Sequence, residues 1–215
     1  MHLLLCALGA GFALSASAHG TAPPPPVLPP SFFVLFNESI PAVFGGANNT
    51  LNGASWYDAA NNRSAEWRST GKYDRYCGSA NSADSPCTHL VVSGQRYLIW
   101  PELKSCCLCC KASAGCGILR PDWIGAANGS YIGQQSISTP TFNGLVDVWS
   151  APGLQNNYWY QTLEAEPVAL VQVPNDYMYY DSRTYVVGPQ PDAVFVVPSY
   201  CSGSCPLFSV CTIAD

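Results

Sequence analysis

The chain has 215 residues, of which 48% are hydrophobic, 12% aromatic and only 11% charged, and its 9 basic and 14 acidic residues leave a net charge of -5. So little charge excludes a disordered acidic segment or a charge-laced coiled coil, while the length allows one domain, or two very small ones, and a substantial core. Nine scattered basic residues form neither a nucleic-acid footprint nor a cluster for anionic lipid headgroups, so no nucleic-acid partner is expected.

At the N-terminus, Leu3-Leu4-Leu5-Cys6-Ala7-Leu8 begins an apolar run that continues to Leu14. It is too short to span a bilayer and is followed by the small residues Ser15-Ala16-Ser17-Ala18, which predicts a signal peptide over 1–18. No later stretch predicts a membrane span, and the tail from Val210 lacks an apolar anchor signal. The expected location is secreted, extracellular. Residues 19–30 contain Pro23-Pro24-Pro25-Pro26 and Pro29-Pro30, which predict an extended Pro-rich tether, read as a plain spacer.

One β-rich domain is predicted over 31–215. An apolar run of strand length occupies 32–36, and further strands are predicted at 55–58 and 63–70. Residues 88–92 and 95–100 flank Ser93-Gly94 and read as a hairpin. More strand candidates follow at 130–139, 145–150, 157–164, 168–173, 177–180 and 194–197. Pro121-Asp122-Trp123-Ile124 predicts a single helical turn with Pro at its start. The fold class is therefore mainly β and antiparallel, with few short helices.

Of 11 cysteines, Cys6 lies in the predicted leader. The other ten are Cys77, Cys87, Cys106, Cys107, Cys109, Cys110, Cys116, Cys201, Cys205 and Cys211, and they imply up to five bridges in an oxidising compartment. The crowded block Cys106-Cys107-Leu108-Cys109-Cys110 contains two C-x-x-C spacings, which in a reducing compartment could hold zinc or exchange thiols. With few histidines to complete a zinc site, and a block placed between strand and loop, structural bridges to several different segments are expected instead. The pairing stays open. Four sequons, at Asn37, Asn48, Asn62 and Asn128, predict a glycoprotein.

Catalytic constellations are scarce. His89, between apolar strand residues, reads as a packed or exposed histidine. Glu164 and Glu166 beside Tyr158-Trp159-Tyr160 resemble a sugar site with two carboxylates, but they read better as a solvated strand end before Pro167. No enzyme, metal site or cofactor is expected. Aromatic residues dominate the strands, and a curved sheet with an apolar concave face makes a cavity of the kind that holds small molecules.

Trp56-Tyr57-Asp58 … Asn62-Arg63 … Trp67 … Gly71-Lys72-Tyr73-Asp74 resembles the early paired strands of the ependymin-related secreted glycoprotein family. Trp149 … Tyr158-Trp159-Tyr160-Gln161-Thr162 … Pro167-Val168 … Phe195-Val196-Val197-Pro198-Ser199-Tyr200-Cys201 is similar to that family's closing half. The block from Cys106 to Cys116 departs from vertebrate members, which carry fewer cysteines. The resemblance implies two stacked, curved antiparallel sheets forming a half-barrel with an apolar pocket, similar to bacterial lipoprotein-carrier proteins. It also implies a possible homodimer and an association with calcium, for which this sequence has no ligand motif.

The expected function is non-catalytic binding of a hydrophobic small molecule such as a lipid or fatty acid. The alternative is a structural or adhesive domain with a protein or matrix partner. The expected inner-face residues are Phe33, Leu35, Trp56, Tyr97, Ile99, Trp149, Tyr158, Tyr160, Leu170 and Val197. That set depends on strand parity, because a slip of one residue exchanges the two faces.

Overall fold

The computed structural model describes residues 22–42, 47–153 and 155–212; the predicted signal peptide lies outside them. Eleven strands follow in chain order: β1 (Ser31–Ile40), β2 (Asn49–Asp58), β3 (Arg63–Arg68), β4 (Cys87–Val92), β5 (Gln95–Trp100), β6 (Ser105–Lys111), β7 (Ser130–Ser138), β8 (Asn143–Ala151), β9 (Asn156–Gln161), β10 (Pro167–Val173) and β11 (Asp176–Val187). They form one continuous antiparallel sheet in the order β6-β5-β4-β3-β2-β1-β11-β10-β9-β8-β7, curled into a half-barrel that does not close. Two meanders, β1–β6 and β7–β11, are thus joined by the β1–β11 pairing. Among the described residues no helix is long and apolar enough to cross a membrane.

Period-2 alternation decides which side chains face the hollow. In β1, Phe32, Val34, Phe36 and Glu38 are buried, while Leu35 is 41% exposed. Their cross-strand partners are Tyr57, Ser55, Gly53 and Leu51 on β2, with Tyr180 and Met178 on β11 opposite Phe36 and Glu38. Gly53 is required there, because a Cβ would sit 2.1 Å from Cζ of Phe36. The main core joins these residues to Trp149, Trp159 and Ile124. Ile124 lies in a short helix, α2 (Trp123–Ala126), which is the predicted helical turn. The β4–β5 hairpin also forms as predicted, with Ser93 (φ 51°) and Gly94 (φ 69°) both left-handed, as a tight two-residue turn demands.

The Pro-rich stretch departs from a free tether. Leu28 N–H donates to the Pro121 carbonyl at 2.9 Å, and its side chain is buried in the main core. Prolines restrict the segment's conformations, and one large apolar side chain suffices to dock it. Leu28→Ala is expected to lower the unfolding free energy by about 2–3 kcal/mol, as for a core leucine. A urea midpoint within error of the parent would return this segment to the status of a spacer.

The cysteine block, expected between strand and loop, is the edge strand β6. Cys106 and Cys107, opposite Ile99 and Leu98, point to opposite faces and so reach different partners, while a register shift at Cys109 brings Cys107, Cys109 and Cys110 into one cluster. Cys106, Cys107 and Cys109 bridge to Cys201, Cys205 and Cys211, across sequence separations of 95, 98 and 102. Cys110 pairs with Cys116, and Cys77 with Cys87, so these two bridges are local. Five bridges fit an oxidising environment. Residues 194–201 lie over the outside of β3–β6, where Val194, Phe195, Val197 and Tyr200 pack on Ala65, Leu90 and Ile99, whereas Cys205 and Cys211 pack with Leu98 and Trp100. The expected strand at 194–197 is instead a 3-10 turn, Asp192–Phe195, followed by extended chain. Its lateral hydrogen bonds have no neighbouring strand to meet.

Candidate functional site

The concave face is not uniformly apolar. Toward β3, β4 and β5 its alternate positions become Ser64, Glu66 and Arg68, then His89 and Val91, then Arg96. A six-residue helix, α1 (Arg75–Ala80), begins beside them and is capped by Asp74, whose Oδ1 accepts from the Tyr76 and Cys77 amides at 3.0 and 2.6 Å. Helix-starting amides offer an acidic side chain these two donors.

Arg68 is the centre of this region and is 4% exposed. It donates through Nε to Glu38 Oε2 at 2.7 Å, and its Nη1 lies 3.4 Å from Glu66 Oε2. The same Nε lies 3.4 Å from Asp74 Oδ2. His89 Nε2 is 2.8 Å from Asp74 Oδ1, and its Nδ1 is 3.5 Å from Arg68 Nη1, which suits the tautomer with hydrogen on Nε2. Burial pushes the Glu38 carboxyl up, with Arg68 opposing. For Asp74 burial also pushes up, but His89 and Arg68 outweigh it and hold the carboxyl well below the usual carboxylate range. Burial works against the Arg68 guanidinium, yet Glu38, Asp74 and Glu66 keep it firmly protonated.

This network forms one wall of a cavity of about 360 Å³ between the two halves of the sheet. The opposite wall comes from β10 and β11, with Leu170, Gln172, Asp176 and Met178, and the 115–119 loop adds Ile118 and Leu119. That loop is pinned over the concave face by the Tyr57 hydroxyl, which donates to the Leu119 carbonyl at 2.6 Å. A second hollow, of about 610 Å³, lies beside Asn37, Thr50 and Pro140 and meets the charged network only at Glu38.

Asp176 has a distinct position. Its Oδ1 is buried with no hydrogen-bond partner among the described residues, and burial, with Glu38, Asp74 and Glu66 nearby, raises its carboxyl to about 7. The unfolded chain would lose this proton near pH 4, whereas the folded protein keeps it to about pH 7. Stability therefore falls as pH rises through that window. Asp176→Asn is expected to raise stability at pH 8 by about 1–2 kcal/mol, after allowing for solvent screening, and to change nothing at pH 3.5. Urea midpoints that shift equally at both pH values would refute this.

Of the ten residues expected on the inner face, Trp149 and Leu170 are there. Trp149 lies in the main core, and Leu170 lines the cavity. The parity of the others is reversed. Phe33 and Leu35 face outward from β1, with the Phe33 ring 5.2 Å from that of Trp56. Trp56, Tyr97, Ile99 and Val197 lie in the outer cluster under the C-terminal segment. Tyr160 joins Val146, Val148 and Val168 on the outside of the other half, and Tyr158, two residues earlier on the same strand, shares that face.

Glu164 and Glu166 occupy the β9–β10 turn, Glu164 exposed, outside the cavity lining. His89 is packed, as expected, but inside the charged network. Asn48, Asn62 and Asn128 are exposed, and Asn37 is half-buried, its side chain hydrogen-bonded to that of Asn52. All ten cysteines among the described residues are bridged, so their clusters offer no thiolate to a metal. Sequence reasoning missed Glu38, Arg68, Asp74, Arg96 and Asp176. The available signal was the alternation Ser64, Glu66, Arg68 against Ala65 and Trp67, which marks two faces without saying which is covered.

No protein-family model matches the chain, and no curated protein matches its sequence. Among solved structures it is similar to an uncharacterized conserved protein from Thermus thermophilus, with a TM-score of 0.51 at 6% identity, covering 82% of this chain and 91% of that one. A LolA superfamily protein from Nitrosomonas europaea also matches, with a TM-score of 0.40 at 10% identity, covering 80% of this chain and 93% of that one. The first likeness is one of fold.

Proposed function

We propose that this is a secreted, non-catalytic binding protein of ependymin-like type that holds a small ligand with an apolar body in the hollow of its half-barrel. The observation that carries this reading is the cavity of about 360 Å³ between the two meanders. Its apolar lining, Val91, Ile118, Leu119, Leu170 and Met178, can take an aliphatic segment at about 0.8 kcal/mol per buried CH₂. Its charged lining favours an amphipathic molecule over a pure hydrocarbon, because an apolar ligand would bury those groups without partners. The deeper apolar part of the concave face is already filled by Leu28 and Ile124, which limits the ligand's size.

The test is native mass spectrometry of deglycosylated protein secreted from eukaryotic cells, before and after gentle organic extraction, followed by titration of the extracted protein with C10 amphiphiles. An extra mass of a few hundred daltons that extraction removes, or uptake of an amphiphile blocked by Leu170→Trp, is expected. A bare protein that takes up no C10 amphiphile would overturn the reading.

A further inference from the structure

Most charges around the cavity have a partner, although carboxylates outnumber the guanidinium they share. Glu38, Glu66 and Asp74 all lie within ion-pair distance of Arg68, and Asp74 also meets His89. Arg75 also lines the cavity but is exposed to solvent; two further charges, on opposite halves of the sheet, face the cavity with a buried polar atom that has no partner among the described residues. One is Arg96 on β5. Its buried Nε has no hydrogen-bond partner, its Nη2 has only a 3.4 Å contact to the Gly117 carbonyl, and its guanidinium lies 5.1 Å over the Tyr76 ring. No carboxylate of the described residues pairs with it. The other is Asp176 on β11, whose buried Oδ1 is equally unpartnered. Both line the cavity, yet they form no ion pair with each other.

A buried polar atom without a partner costs roughly 1–3 kcal/mol, and more when the group is charged. Water can satisfy such atoms, but a ligand bearing both complementary charges would satisfy them while placing its body on Leu170 and Met178. From this geometry, and resting on the cavity reading above, we infer that the ligand is a zwitterionic amphiphile, its anionic oxygens directed to Arg96 and its ammonium group to Asp176. An anion alone would leave Asp176 unpaired in a cavity already rich in carboxylates. A cation alone would leave Arg96 unpaired. The same chemistry is offered by a free amino acid with an aliphatic side chain and by a phosphoethanolamine headgroup.

Four C10 probes separate these cases by calorimetric titration of the full secreted protein at pH 8: decanoate, decylammonium, 2-aminodecanoic acid and decyl phosphoethanolamine. At least one zwitterion is expected to bind at least ten-fold more tightly than either singly charged probe. Preference for 2-aminodecanoic acid would indicate an amino-acid source, and preference for the phosphoethanolamine a lipid headgroup. Arg96→Met should remove the zwitterion's advantage over decylammonium, and Asp176→Asn its advantage over decanoate. If decanoate or decylammonium binds as tightly as both zwitterions, the zwitterion assignment is overturned while the cavity reading survives. If none of the four binds, both fall. Near-UV circular dichroism of each variant, unchanged from the parent, confirms that the loss is not one of folding.

Discussion

Replacing all six cysteines of the three long bridges by serine is expected to destabilise the protein by more than about 5 kcal/mol, whereas removing Cys106–Cys201 alone costs about 2 kcal/mol. The contrast follows from the order of ring closure. The first bridge between β6 and the C-terminal segment closes a loop of roughly 100 residues, worth about 4.7 kcal/mol on the chain-entropy account. Once Cys107–Cys205 has formed, adding Cys106–Cys201 closes a ring of only about five further residues, and the increment shrinks accordingly. Losing all three also releases Phe195 and its neighbours from the outside of β3–β6, which adds the loss of apolar burial. Guanidinium denaturation of the single-bridge and triple-bridge variants measures both effects. Three equal, additive losses would show that the bridges act by local packing rather than by constraining the unfolded chain.

The second large effect is expected at Arg68. Arg68→Met keeps the aliphatic length but leaves Glu38, 2% exposed, and Asp74, 6% exposed, without their cation. A loss of about 3–5 kcal/mol at pH 7 is expected, the range for breaking a buried ion pair from one side. The remaining carboxyls would then recover stability by taking up protons, so the deficit should diminish toward pH 4. Arg68→Met combined with Glu38→Gln should be less destabilising than Arg68→Met alone, because a neutral amide is cheaper to bury unpaired than a carboxylate. Denaturant titration of both variants checks this. Additive losses would mean that Glu38 and Arg68 are not energetically coupled despite their 2.7 Å contact.

The β class, the Ser93-Gly94 hairpin and the reach of the cysteine block to distant segments were legible because each rests on local chemistry. Two φ > 0 residues make a tight turn, and alternating side-chain directions send Cys106 and Cys107 apart. The inner face was not legible in β1, where 32–36 is apolar throughout and gives no alternation from which to choose a parity. In β3 the alternation is clear, but the outside of that strand is covered by a segment more than a hundred residues later. The apolar side of the strand therefore packs under Phe195, and the charged side turns into the hollow. Asp176 carried no signal either, since its meaning comes from Arg68 and Glu66 on the other half of the sheet.

A sheet that does not close has two margins, and here they differ. Along β6, Leu108 N–H donates to the Gly203 carbonyl at 3.0 Å and its carbonyl accepts from the Cys205 amide at 2.9 Å, so the C-terminal segment seals the middle of that margin. β7 pairs only with β8 among the described residues, and its outer row of amides and carbonyls faces away from the sheet. Unpaired strand margins are where chains recruit one another. Growth into a fibre by this route needs two free margins per molecule, one to accept and one to extend. With the middle of β6 covered, β7 is the open margin among the described residues, and antiparallel pairing of one copy with another across it is closed by a two-fold axis and stops at two molecules. The bridges that hold the C-terminus on β6 thus restrict how far the sheet can propagate beyond its own chain.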